Sequence, residues 1–174
     1  MRELDPILGG GYVTYCSPTG NCHRASRGTI KFANGLVRGV DGLIYVPSSV
    51  DGKVRIFRLD RTTNMLIHLN TIELRMPLDN LAVDANGDIW VPGAPDAISL
   101  MRWIASPQEE KSPNTVLRIS LAGGWNNNGQ KKAGLSKATY KVDKILEDAE
   151  TKVMSGITTV RTDVKTGRLF MGGK

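Results

Sequence analysis

No apolar run in this 174-residue sequence approaches the roughly 18 residues that a membrane-spanning helix needs. The opening residues, Met1-Arg2-Glu3-Leu4-Asp5-Pro6, lack the charged-then-apolar order of an export signal. There is no Gly-x-Ser-x-Gly elbow and no phosphate-binding loop. Histidine occurs only twice, as His23 and His68. Both fall in expected outer strands, where they read as surface or structural residues, and no Ser-His-Asp arrangement assembles around them. The two cysteines, Cys16 and Cys22, are too few for a zinc framework. Charge is not gathered into blocks either: the net +6 comes from Lys and Arg scattered through strands and turns. The one pair of adjacent lysines, Lys131-Lys132, sits in a Gly/Asn-rich stretch at residues 123–134 that reads as a solvated loop, so no nucleic-acid partner is expected.

What is present is an ordinary soluble composition, 40% hydrophobic and 23% charged, sufficient for one domain with a real core. Nineteen glycines and eight prolines punctuate short runs rich in Val, Ile, Leu, Tyr and Trp, the pattern of an all-β chain. Strands are expected at 11–16, 22–26, 34–38, 43–47, 53–59, 65–73, 80–84, 88–92, 115–120, 139–146, 157–162 and 168–172, with one helical turn around Leu100-Met101-Arg102-Trp103. Cys16 and Cys22 flank the turn formers Ser17-Pro18-Thr19-Gly20-Asn21. If 12–16 and 22–26 pair as a hairpin, the thiols come within disulfide reach; otherwise both stay free.

Laying residues 34–46 over 79–91 reveals a repeat at a constant offset of 45 residues. Each copy is a short apolar strand, an Asp-Gly or Asn-Gly turn suited to a tight hairpin, and a second strand ending in aromatic-Val-Pro. A weaker third copy runs through Ile157–Thr162, a turn with Lys165-Thr166-Gly167, and Arg168–Gly172. Four strands recurring every 40–50 residues or so are a β-propeller signature. The fold expected is therefore a partial β-propeller of about three blades, with blade segments at 11–26 (outer strands), 34–74, 79–147 and 157–174 (inner strands). Three blades fall short of the usual range of about four to eight, so the chain reads as part of a larger ring. The edges of an open arc favour self-association or pairing with missing blades.

Inner strands of a propeller deliver their first residues to one mouth of the central channel, and Asn34 and Asp79 occupy equivalent places there. Asn80 follows directly. Their carboxylate and amide oxygens are hard ligands suited to calcium, although three oxygens are fewer than the roughly six to eight that calcium takes. Asn and Asp also start strands simply by bonding neighbouring backbone groups. Trp90 and Tyr45, at matching blade positions, read as core packing.

The segments Phe32-Ala33-Asn34-Gly35-Leu36, Leu78-Asp79-Asn80-Leu81-Ala82-Val83-Asp84 and Gly87-Asp88-Ile89-Trp90-Val91 resemble the C-terminal half of the paraoxonase/arylesterase family, within the wider set of calcium-dependent hydrolases that includes the gluconolactonases related to senescence marker protein 30. The resemblance extends over Tyr12 to Ser26 and, weakly, to Phe170-Met171-Gly172. It implies a six-bladed propeller holding a catalytic calcium that acts on lactones, aryl esters or related phosphotriesters, with Asn34, Asp79 and Asn80 matching the family's calcium ligands. The family's acidic ligand, other asparagine ligand and catalytic histidines have no counterpart here, so no catalytic residue is assigned. The family is often secreted, which suits a Cys16–Cys22 bridge. The reading is a small-molecule ester or lactone hydrolase with an incomplete site, weakly active or inactive alone. The alternatives are a non-catalytic propeller module that binds a partner and a strictosidine-synthase-like propeller.

Overall fold

The computed structural model describes residues 10–122 and 139–173. The stretch at 123–134, with Lys131-Lys132, lies outside them. All twelve expected strands form, within a few residues of their expected bounds. β1 (Thr14–Cys16) and β2 (Cys22–Arg24) make a hairpin. A first sheet follows from β3 (Val37–Arg38), β4 (Ile44–Pro47), β5 (Lys53–Leu59) and β6 (Leu66–Glu73), and a second from β7 (Ala82–Val83), β8 (Ile89–Gly93), β9 (Asn114–Leu121) and β10 (Tyr140–Asp148). β11 (Ile157–Asp163) and β12 (Arg168–Gly173) form a closing hairpin. Both four-stranded sheets are antiparallel meanders in chain order, the architecture of a propeller blade.

The 45-residue offset is kept atom by atom. Val37 faces Tyr45 where Ala82 faces Trp90. Asn34 N donates to Pro47 O and Asp79 N to Pro92 O, each at 3.1 Å. The turns close alike, Gly42 N on Gly39 O at 2.9 Å and Gly87 N on Asp84 O at 3.1 Å. Gly42 (φ 76°) and Gly87 (φ 84°) take the left-handed backbone that these tight hairpins require. Each turn also carries a carboxylate that anchors the aromatic of the next strand. Tyr45 Oη donates to Asp41 Oδ2 at 2.9 Å and Trp90 Nε1 to Asp84 Oδ2 at 2.8 Å. Tyr45 and Trp90 are thus core residues with satisfied polar ends, as their position suggested.

Three packed layers of side chains join the four units. Tyr45, Val54 and Ile56 of the first sheet pack against Leu78, Leu81, Ile89, Val91, Leu117 and Ile119 at the second. The opposite face of the first sheet, through Val46 and Phe57, covers Ala25 and Ile30 beside the β1–β2 hairpin. Trp90 and Val116 of the second sheet meet Val160 of β11.

Two features go beyond the expected outline. The single helical turn is a nine-residue helix, α1 (Ala97–Ala105), because Asp96 caps it by accepting from Ile98 N at 2.9 Å and Ser99 N at 3.1 Å, and no Gly or Pro interrupts the run that follows. Cys16 and Cys22, directly opposed across β1–β2, are joined as a disulfide with Cα atoms 4.1 Å apart, slightly closer than the usual range of about 4.4–6.8 Å.

Two outcomes are expected. Tyr45→Phe, which strips a buried donor from Asp41, should cost about 1 kcal/mol and lower the thermal midpoint by about 2–4 °C in calorimetry. Intact-mass spectrometry of protein purified without reductant should find the chain lighter by two hydrogens than its reduced form; two free thiols would contradict the bridge.

Candidate functional site

The start of each inner strand is fixed by a single bridge: Ala33 to Ser48 in the first sheet, Leu78 to Gly93 in the second. In the closing hairpin Ile157 is paired with Gly173 in the same sense. The residues that follow, Asn34, Asp79 and Thr158, are therefore structural equivalents. Thr158 was not anticipated from the sequence, because the third repeat has a longer turn between Asp163 and Arg168 and no Asn or Asp at the matching place. The register, counted back from that turn, identifies it.

Asn34, Asp79 and Asn80 come together. Asp79 Oδ1 accepts from Asn80 N at 2.8 Å and from Asn80 Nδ2 at 3.0 Å. The Asn34 amide nitrogen is held by Ser49 Oγ at 3.0 Å, and Ser49 in turn donates to Leu78 O at 2.7 Å. Asn80 N also reaches Thr158 O at 3.2 Å, tying the cluster to β11. Gly35 (φ 66°) permits the approach: a Cβ there would stand 2.5 Å from Asn80 Oδ1. Ser49 is a supporting residue that no sequence pattern signals, since it is brought in by the turn after β4.

Asp79 differs electrostatically from the other carboxylates. Burial raises its pKa, and the Asn80 backbone N–H and the Asn34 amide only partly offset that shift. No Lys or Arg pairs with it among the described residues, whereas Asp51 is paired with Arg55 and Asp143 with Arg118 and Lys141. A half-buried carboxylate with two amide side chains beside it and no cationic partner among the described residues has the donor chemistry of a hard-cation site. Among the described residues no group of three or more His, Cys, Asp or Glu stands together, so any such site must draw on these amides.

Beside the cluster opens a cavity of about 190 Å³. Asn34, Ser49 and Asp79 form its polar side, and Phe32, Pro77, Leu100, Trp103, Ile104 and Ile157 its apolar walls. The α1 residues are held there because Trp103 lies flat on Gly156 (φ 63°), where any Cβ would strike the indole ring. Neither histidine takes part. His23 is exposed on β2, and His68 is exposed on β6 with its Nε2 bonded to Thr71 Oγ1 at 2.9 Å.

Packed antiparallel meanders, with a polar cluster at the inner-strand starts that opens on a small cavity with apolar walls, define an all-β protein. The chain belongs to the arylesterase family: a family model described as Arylesterase matches residues 4–126, a span that contains Asn34, Asp79 and Asn80. It is accordingly a hydrolase of the paraoxonase/arylesterase type, with small-molecule esters as its substrate class. No curated protein matches the chain. No helix among the described residues is long and apolar enough to cross a membrane.

A raised folded-state pKa means that ionising Asp79 costs folded-state stability, increasingly so as pH rises through that pKa. Asp79→Asn keeps the acceptor for Asn80 and removes the charge. In metal-free protein it should raise the thermal midpoint at pH 7, with the gain shrinking towards zero below the ordinary carboxylate pKa of about 3.9. A lowered midpoint at pH 7 would mean that the charge has an unseen partner.

Proposed function

We propose that this chain supplies the calcium-holding part of an ester and lactone hydrolase site, with Asn34, Asp79 and Asn80 as ligands. The observation that carries the reading is the juxtaposition of a half-buried carboxylate, unpaired by Lys or Arg among the described residues, and two amides with an apolar-walled cavity. Calcium, when bound, would act as a Lewis acid on the substrate carbonyl and stabilise the oxyanion that develops as water attacks. The chain's own residues supply position. Ser49 holds the Asn34 amide nitrogen, leaving its oxygen for other work, and Asn80 fixes one Asp79 oxygen. Phe32, Leu100, Trp103 and Ile104 would seat the aryl or acyl portion and keep water from that side.

The same geometry supports reading the site as incomplete. Three side-chain oxygens fall short of calcium's usual number, and no cavity-lining residue besides Asp79 can accept a proton from water. On this reading the blade segments 11–26, 34–74, 79–147 and 157–174 belong to a larger ring, and the general base lies outside the cavity walls described above.

The test compares the chain with Asp79→Ala in calcium-containing buffer. Calcium should raise the thermal midpoint of the parent and leave that of Asp79→Ala unmoved, while both hydrolyse phenyl acetate or a simple lactone at matching slow rates. A calcium response that survives in Asp79→Ala would remove the ligand assignment. Fast, calcium-dependent turnover by the parent would show that a base is present, with His68 the first to substitute.

A further inference from the structure

The first sheet carries a second concavity, at the end away from Asn34. β3 leads from Asn34 into the turn at 39–42, and β5 runs from Lys53, whose carbonyl accepts from Ser48 N, to the turn that opens at Asp60. The β4–β5 register, Pro47 on Val54 and Ile44 on Phe57, sets these two turns side by side. Between them lies a cavity of about 650 Å³, within the roughly 300–1,000 Å³ of small-molecule sites. It shares no wall residue with the cavity beside Asp79.

Three arginines stand in its walls: Arg38 at the end of β3, Arg58 near the end of β5 and Arg61 in the turn beyond. All three are exposed. None pairs with a carboxylate among the described residues, unlike Arg55 and Arg118, which are bound to Asp51 and Asp143. The two carboxylates in the same walls are engaged by the fold. Asp41 accepts from Leu43 N through Oδ1 at 3.0 Å and from Tyr45 Oη through Oδ2 at 2.9 Å. Asp60 Oδ1 accepts from Thr62 N at 2.9 Å and from Thr63 N at 3.4 Å. The backbone behind the arginines is held as well. Asn64 N donates to Asp60 O at 2.7 Å and Asp60 N to Met65 O at 2.9 Å, closing the turn that carries Arg61. Arg38 folds over the other turn, where Gly42 leaves it room: a Cβ there would lie 3.5 Å from Arg38 Nη2.

Three guanidinium groups against two engaged carboxylates leave these walls with a net charge of +1. A monoanion neutralises that charge, whereas a dianionic phosphate group would reverse it. The guanidinium fork also matches a carboxylate through two parallel hydrogen bonds. Val40, Leu43, Ile44 and Leu59 line the remainder, so an apolar body can lie beside the anionic head. We propose that this cavity binds a small monocarboxylate with an aryl or alkyl body, held by Arg38, Arg58 and Arg61 at a place separate from the Asp79 site. Ester hydrolysis, the reaction of this family, releases acids of that class.

Fluorine NMR of para-fluorobenzoate titrated with the full chain at low ionic strength tests this. The expected result is saturable broadening of the ligand resonance, with no broadening of para-fluorobenzamide, which has the same shape without the charge. Arg58→Gln should weaken binding by about tenfold through the loss of one charge-assisted contact. The combined Arg38→Gln, Arg58→Gln and Arg61→Gln variant should abolish it, with far-UV circular dichroism unchanged because all three side chains are exposed, and Asp79→Ala should leave it intact. Benzoate binding that survives in the triple variant or disappears in Asp79→Ala would place the acid elsewhere and overturn the proposal. Equal binding of the benzamide, or displacement of the benzoate by inorganic phosphate at a lower concentration than by unlabelled benzoate, would overturn the choice of a monocarboxylate.

Discussion

The packing of the first sheet on the second is the contact on which the rest of the molecule depends. Tyr45, Val54 and Ile56 interlock with Leu78, Leu81, Ile89, Val91, Leu117 and Ile119, all nearly or fully excluded from solvent. Because the two sheets share hairpin register, this layer brings the starts of two inner strands level with each other, and with them Asn34 and Asp79. A one-residue slip in either hairpin would send its side chains to the opposite face and separate the pair. The core therefore acts as the alignment device for the polar cluster. Two part-buried hydrogen bonds, Tyr45 to Asp41 and Trp90 to Asp84, pin that alignment from the turn end of each strand.

The strands, the hairpin turns and the equivalence of Asn34 with Asp79 were legible because each is written locally: a period of two, a glycine at a left-handed position, and a constant spacing. What escaped was set by distant partners. The full length of α1 depends on the Asp96 cap and on Trp103 finding Gly156, some fifty residues on. Ser49 enters the cluster through a turn, and Thr158 through a register that its own neighbours do not announce. His23 and His68 were expected on outer strands away from the inner-strand starts, and both side chains are exposed and outside the cavity walls. The family resemblance agrees with the matched span.

Aspartate is the residue type the sequence could least easily sort, since this protein uses it in several ways. Asp60 and Asp148 accept chiefly from backbone N–H groups in turns, and Asp96 and Asp163 accept first from the Ser99 and Thr166 hydroxyls and then from backbone N–H groups; those bonds hold their pKa values low. Asp51 and Asp143 are lowered by cationic neighbours. Among the described aspartates only Asp79 and Asp88 are pushed up, and Asp88 has Arg118 within 3.9 Å. Asp79 alone combines burial with the lack of a positive partner among the described residues. That contrast, invisible to a strand-start rule, separates a poised carboxylate from its structural siblings.

The two four-stranded sheets differ in how their strands are joined, and this bears on the order in which the chain acquires structure. The first sheet is assembled from short connections, so its contacts are local and its closure entropy is small. The second must bridge residues 94–113 between β8 and β9 and residues 122–139 between β9 and β10 before it is complete. The first sheet is thus the natural nucleus, formed early on a low-contact-order route, and it offers β7 and β8 a preformed apolar wall. The outer half of the second sheet condenses last. Doubling either connection would slow that late step by about threefold and lower equilibrium stability by the same roughly 0.6 kcal/mol, because one loop-closure entropy enters both.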